Sequence, residues 1–136
     1  MSDLTTPRGA HAELMGAQYV SFDRASETIT MRFTAPASFV SPRGSVQGGL
    51  VAGFLDEAMG WAHVMATEGA EAPLNLDITM SLLKPVFPGP VLAKGRVVRR
   101  GRKVIFLEAE LFDEGGALLA RSTSTAIPTP RPGDQG

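Results

Sequence analysis

Two carboxylates, Asp56 and Glu57, stand side by side in "SVQGGLVAGFLDEAMGWAH", residues 45–63, an otherwise apolar run of helical length. In a helix of about 100° per residue, Gly49, Ala52, Gly53, Gly60 and His63 fall within roughly 60° of Asp56, which places that acid on a stripe of small residues. Glu57 projects instead among Leu50, Phe54, Trp61 and Val64, where its carboxylate must reach an edge or find a partner. A helical glycine costs about 1 kcal/mol relative to alanine, so three of them around one acid imply that a ligand or another backbone approaches closely. "VQGG" supplies a complementary group, because the first N–H groups of a helix are unpaired and carry the positive end of its dipole. A carboxylate as nucleophile or base, with N–H donors for an oxyanion, is the equipment of acyl transfer. Gly48 and Asp56 are about 12 Å apart along the axis at 1.5 Å per residue, too far to share one carbonyl. Two such helices, antiparallel across a dimer, would bring them together.

The elements that must position these groups can be read from periodicity. Residues 9–17 suit a short helix. "AQYVSF" and "TITMRFTA" flank the polar turn "DRASE" as a hairpin, with Ile29, Met31 and Phe33 on one face. The run at 45–63 continues to about Gly69 and is apolar nearly all round, as a buried helix is. "LNLDITMSLL" alternates Leu74, Leu76, Ile78, Met80 and Leu82 with Asn75, Asp77, Thr79 and Ser81, which reads as a half-buried strand ended by Pro85. "PVLAKGRVVRR", "KVIFLEAELFD" and "ALLARSTSTAI" follow as three strands joined by tight turns. The expected fold class is α+β, a curled antiparallel sheet around one long central helix.

Composition narrows the function classes. At 136 residues the chain fits one domain, and a net charge of −1 gives no general attraction to nucleic acid. There is no cysteine, which excludes disulfides, thiolate metal sites and a Cys nucleophile and suits a reducing cytoplasm. Neither histidine stands at ligand spacing from another metal-binding type, so no metal is expected. The start "MSDLTTPRGA" lacks the apolar stretch of a signal peptide, and the helical run carries two acids and several glycines, unlike a membrane span. Residues 1–8 and 128–136 read as tails around a domain at 9–127.

The stretch at 47–58 resembles the hotdog-fold acyl-CoA thioesterases, in particular the phenylacetic-acid-pathway (PaaI-like) branch, whose motif runs approximately H-G-G-x-x-x-x-L-x-D-x-A. Gln47, Gly48, Gly49, Asp56 and Ala58 carry the likeness, with Leu55 immediately before the acid, and it continues through "NLDITMSLLKPVFPG" and the last strands, over roughly residues 17–127. The resemblance implies a homodimer with two sites at its interface, often paired into a tetramer, acting on acyl-CoA without a further cofactor. It implies that the Gly48 N–H polarises the thioester carbonyl while Asp56 of the other subunit attacks it or activates water. Asn75 falls where relatives carry a Ser or Thr that orients the water. Gln47 replaces the usual histidine and can donate a hydrogen bond but not carry a proton. Ser41 replaces an Asn or Gln, and with Gly49 it lies on the substrate side of the motif.

Several residues keep two readings. "RRGRK", with Arg99, Arg100, Arg102 and Lys103, suits the phosphates of CoA and equally a solvated hairpin tip. His63 shares the Asp56 stripe, and an Asp56–His63 pair is what a hotdog hydratase or dehydratase acting on an enoyl group would need. A lone helical histidine is more often a structural one. A non-catalytic acyl-CoA binder is the third reading, prompted by Gln47 and Ser41.

Overall fold

The computed structural model describes residues 4–132. A short helix α1 (Ala10–Leu14) leads into the hairpin β1 (Gln18–Asp23) and β2 (Thr28–Ala35), and a 3-10 turn at Ala37–Phe39 leads towards the long helix α2 (Gly48–Ala66). Four strands follow: β3 (Glu71–Leu82), β4 (Gly89–Arg100), β5 (Ile105–Phe112) and β6 (Leu118–Pro130). All pair antiparallel in one sheet of order β1-β2-β4-β5-β6-β3, which bends around α2. The expected elements are therefore present in the expected order.

Ile29, Met31 and Phe33 point inward from β2 and are buried, as the alternation required. They meet Phe54, Leu55 and Met59 of α2 and Ile105, Leu107 and Leu111 of β5 in one continuous core, with the Phe33 and Phe54 rings 5.2 Å apart. The middle of the sheet closes tightly on the helix at Gly95 of β4. A Cβ there would lie 2.3 Å from the Ala58 carbonyl oxygen, so only a residue without one lets strand and helix close to this distance. At its far end α2 stops where Thr67 Oγ1 caps the His63 carbonyl and Gly69, at φ +83°, returns its N–H to the Val64 carbonyl.

Three expectations need correction. First, α2 is not enclosed all round: Val51, Phe54, Leu55, Ala58, Met59 and Ala62 are buried, whereas Ala52, Gly53, Asp56, Glu57 and Gly60 are only partly covered and Gly49 is exposed. One sheet wraps one side of a helix and leaves the opposite side to other contacts.

Second, β3 does not present one apolar face. A bulge between Asn75 and Asp77 shifts its pairing with β6, so Asn75 stands opposite buried Ala126, and Ile78 and Met80 stand opposite buried Ser124 and Ser122. One inserted residue changes which side chains face the helix. Asn75 thereby joins the helix-facing side that the alternation assigned to leucines, while Leu74 and Leu76 are left exposed at 56% and 62%.

Third, the chain from Pro128 is not a tail at its beginning. β6 runs to Pro130, its residues 128–130 pair with 73–71, and the Arg131 N–H bonds the Ala70 carbonyl. At the other end, Leu4 packs on the core. Residues 1–3 and 133–136 of the expected tails lie outside the described residues.

Candidate active site

Asp56 and Glu57 diverge as their helical angles required. Glu57 turns towards α1 and finds two partners: its Oε1 lies 3.1 Å from His11 Nε2, and its Oε2 accepts from Trp61 Nε1 at 3.2 Å. The Arg131 guanidinium covers the Trp61 ring at 5.5 Å. With both oxygens engaged, Glu57 ties α1 to α2 and has little capacity left for chemistry.

Asp56 turns towards β3. Its Oδ1 accepts from Asn75 Nδ2 at 2.6 Å, and among the described residues Asn75 is its hydrogen-bond partner, through that oxygen alone. The second oxygen is left for a substrate or water. The amide of Asn75 is itself oriented, since its Oδ1 faces the Ser124 hydroxyl at 3.0 Å. That hydroxyl also reaches the Asp77 carbonyl at 2.8 Å, just past the bulge. Ser124 is buried, so its position is set by packing. An amide whose oxygen faces a hydroxyl donor must direct its NH2 the other way, at the carboxylate.

The surroundings of Asp56 on α2 are small and uncovered. A Cβ on Gly60 would meet nothing within 4 Å, and one on Gly53 would make only an ordinary contact with Met15 Sδ at 3.6 Å. At Gly53 and Gly60, nothing within this chain approaches closely enough to require glycine.

At the head of α2, Gln47 is the N-cap, and its Oε1 accepts from the Leu50 N–H at 3.1 Å. The first intrahelical bonds come from Leu50 and Val51 to the Gln47 carbonyl, which leaves the N–H groups of Gly48 and Gly49 ahead of the ladder. Gly48 sits against Leu82, whose Cδ1 would be 3.0 Å from a Cβ at that position. Ser41 is held in the preceding turn: its N–H bonds the Ser45 carbonyl and its Oγ accepts from the Arg43 N–H at 3.3 Å. Gln47, Gly48, Gly49 and Ser41 thus gather at one end of α2, and Asp56 with Asn75 lies two turns along it.

Of the basic turn, Arg100 is already engaged. Its guanidinium forks onto Glu27 with Nη1–Oε1 at 2.8 Å and Nη2–Oε2 at 2.9 Å, and this bond raises its pKa further above the ordinary guanidinium value. Arg99, Arg102 and Lys103 are exposed. Arg102 borders a groove of about 560 Å³ with Thr67, Glu71 and Pro128, near the far end of α2. Among the described residues no three His, Asp or Glu side chains converge as metal ligands would.

His63 and Asp56 are not a pair. His63 is fully buried and its Nε2 lies 2.9 Å from Glu71 Oε1, at the start of β3.

Comparison with known proteins decides the family. The model of the thioesterase superfamily matches residues 43–120, more than half of the chain, including Gln47, Gly48, Gly49, Asp56 and Asn75. The chain belongs to the thioesterase superfamily. A Saccharolobus solfataricus protein named as an esterase is 27% identical over 84 residues, which cover 62% of this chain; the chain spans only 59% of that relative's length. A protein of Ralstonia eutropha JMP134, described as a candidate thioesterase related to phenylacetic acid degradation, is 28% identical in its crystal structure, with a TM-score of 0.83 over 90% of this chain and 92% of that one. A Streptococcus mutans protein crystallised with acetyl-CoA shares the fold at 19% identity and a TM-score of 0.74, over 85% and 90% of the two chains. The thioesterase-superfamily chain described here thus has the hotdog fold that the motif implied.

Ser124, which contacts the Asn75 amide, is not among the residues the sequence singled out. Its signal was "ARSTSTA": in a strand, Ala120, Ser122, Ser124 and Ala126 fall on one face, and small hydroxyls on an inward face are placed for hydrogen bonding.

Proposed function

We propose that this chain is an acyl-CoA thioesterase, hydrolysing an acyl- or aryl-CoA to the free acid and CoA at sites shared between two subunits of a cytoplasmic homodimer, with dimers paired into a tetramer. The observation that carries the reading is Asp56 itself: a carboxylate held on one oxygen by Asn75 at 2.6 Å, half-buried on a glycine-lined and uncovered side of α2. A structural aspartate would have both oxygens satisfied, as Glu57 does.

The second subunit is supported by three features. Gly48 and Asp56 are about 12 Å apart along their helix, so one chain supplies half a site. Gly60 has nothing near it. β3 is an edge strand with Leu74, Leu76, Ile78 and Leu82 exposed, the kind of edge that natural sheets cover.

In the assembled site, the Gly48 N–H of one subunit receives the thioester oxygen as it gains negative charge. Asp56 of the other subunit acts at the carbonyl carbon from the opposite side, and Asn75 keeps its free oxygen pointed there. Two routes give the same products. Asp56 takes a proton from water, whose hydroxide adds to the carbon before the thiolate departs and is protonated; or Asp56 adds directly, releases the thiolate and is freed by water. Label found in the Asp56 carboxylate after single turnover in ¹⁸O-water would select the second route, since only water attack at the Asp56 carbon of the anhydride puts it there. CoA is part of the substrate, and no cofactor enters either route. Acetyl-CoA in the S. mutans protein of the same fold supports a CoA ester as ligand.

The test is a panel of fatty and aryl acyl-CoAs under single-turnover conditions, with thiol release as the readout. Tight binding without thiol would replace this reading by a non-catalytic binder. Loss of enoyl absorbance without thiol would indicate a hydratase, which the engagement of His63 with Glu71 disfavours.

A further inference from the structure

The helix α2 is joined to β3 by two polar contacts that lie two helical turns apart: Asp56 with Asn75, and His63 with Glu71. Only the first takes part in the proposed chemistry. The second is made by an imidazole that is fully buried, and its Nδ1 has no hydrogen-bond partner. A buried ring nitrogen without a partner is a cost that an apolar side chain in the same place would avoid. Its value to the fold must lie in what it holds.

What it holds is the upstream end of β3. That strand is bonded by its ladder to β6, not to α2, and the ladder shifts at the bulge directly after Asn75. Downstream pairing therefore transmits little of its register back to Asn75. Upstream, Glu71 is gripped from the helix twice, by His63 on its carboxylate and by Thr67 Oγ1, which accepts the Glu71 N–H at 3.1 Å. Thr67 Oγ1 also donates to the His63 carbonyl at 3.0 Å, so both grips come from the C-terminal end of α2, one from its last turn and one from its C-cap. Glu71 and Asn75 have the same strand parity, so both side chains turn to the helix.

We infer that His63 and Glu71 are positioning residues, setting β3 against α2 so that Asn75 meets Asp56, and touching no substrate themselves. The inference rests on the proposed role of Asp56.

The experiment uses Glu71→Ala, with Glu71 partly exposed at its side chain, and His63→Leu beside His63→Gln, whose amide can still donate to Glu71. Each is measured for kcat and KM in the native background and in Asn75→Ala. Glu71→Ala is expected to lower kcat about tenfold with KM changed less than about twofold, and to cause no further loss once Asn75 is alanine. The Tm should fall alike in both backgrounds. His63→Gln should recover most of the kcat lost in His63→Leu. An unchanged kcat, or an equal loss in both backgrounds, would overturn the inference and leave the pair as packing. The side-chain amide NMR signal of Asn75, identified by its loss in Asn75→Ala, gives a readout that needs no turnover. If the native protein cleaves no acyl-CoA, the functional reading fails, yet a shift of that signal towards a free amide in Glu71→Ala would still uphold the positioning role, and an unmoved signal would end it.

Discussion

Glycine serves opposite purposes on the two sides of α2. Against β4, Gly95 is required by the chain's own atoms, because any Cβ would collide with the Ala58 carbonyl. Along the Asp56 side, Gly60 faces open space and Gly53 a flexible methionine tip. Each glycine costs its own element conformational stability, the strand at Gly95 and the helix at Gly53 and Gly60, but only the first cost is offset within one chain. The glycine that the fold explains belongs to packing, and those it leaves unexplained surround the carboxylate to which the proposed chemistry is assigned. The same contrast separates the acids, with Glu57 bonded on both oxygens and Asp56 on one.

The largest effect should come from the open side. Asp56→Asn keeps the volume and the Asn75 neighbour but removes the charge, and should lower kcat by about 10²-fold or more with the oligomer intact, as checked by steady-state kinetics and sedimentation. On the closed side, Gly95→Ala should destabilise the fold by about 2 kcal/mol, read by urea unfolding, because the Ala58 backbone cannot yield as a side-chain tip can. Gly60→Ala should behave differently: each helix gains up to about 1 kcal/mol of intrinsic preference, yet the dimer should dissociate more readily on dilution. A stabilised dimer with unchanged activity would show that the open side needs no close neighbour. Glu57→Gln should retain most of kcat while lowering stability by about 1 kcal/mol, through its weakened contact with His11. The smallest effect is expected at the basic turn, where Arg102→Ala should raise KM for acyl-CoA about threefold and leave that for an acyl-pantetheine unchanged, as loss of one exposed phosphate contact would. Arg100→Ala should act on stability instead, since its guanidinium is bonded to Glu27.

Periodicity made the helix and the six strands legible, because burial on one face imposes a pattern that side-chain type reveals. The divergence of Asp56 and Glu57 was readable for the same reason, as was the need of Glu57 for partners. The bulge at 75–77 was not: neither Gly nor Pro marks "LNLDI", and the unbroken alternation pointed to a regular strand. Its consequence, the turning of Asn75 towards the helix, therefore depended on resemblance, and Ser124 behind it went unseen. Gly95 looked like any strand glycine, because the collision it avoids is with a residue far away in sequence. Pro128 and Pro130 suggested a tail, yet an antiparallel pair can place a proline where no N–H is required of it, and β6 continues through both.

The most direct measurement is complementation between two inactive variants. Gly48→Pro removes only the N–H assigned to the oxyanion; Gly48 is the first helical residue, where proline is tolerated, and Gln47 before it is already extended at φ −60° and ψ 134°. Leu82, the near neighbour, meets it with a movable side-chain tip. Gly48→Pro and Asp56→Asn, differently tagged, are to be co-expressed, and the mixed dimer isolated through both tags. A site shared between subunits leaves one of the two intact, so the mixed dimer should recover about half of native activity while each parent stays inactive. A mixed dimer as inactive as its parents would contradict the shared site, and with it the account of why Asp56 faces open space.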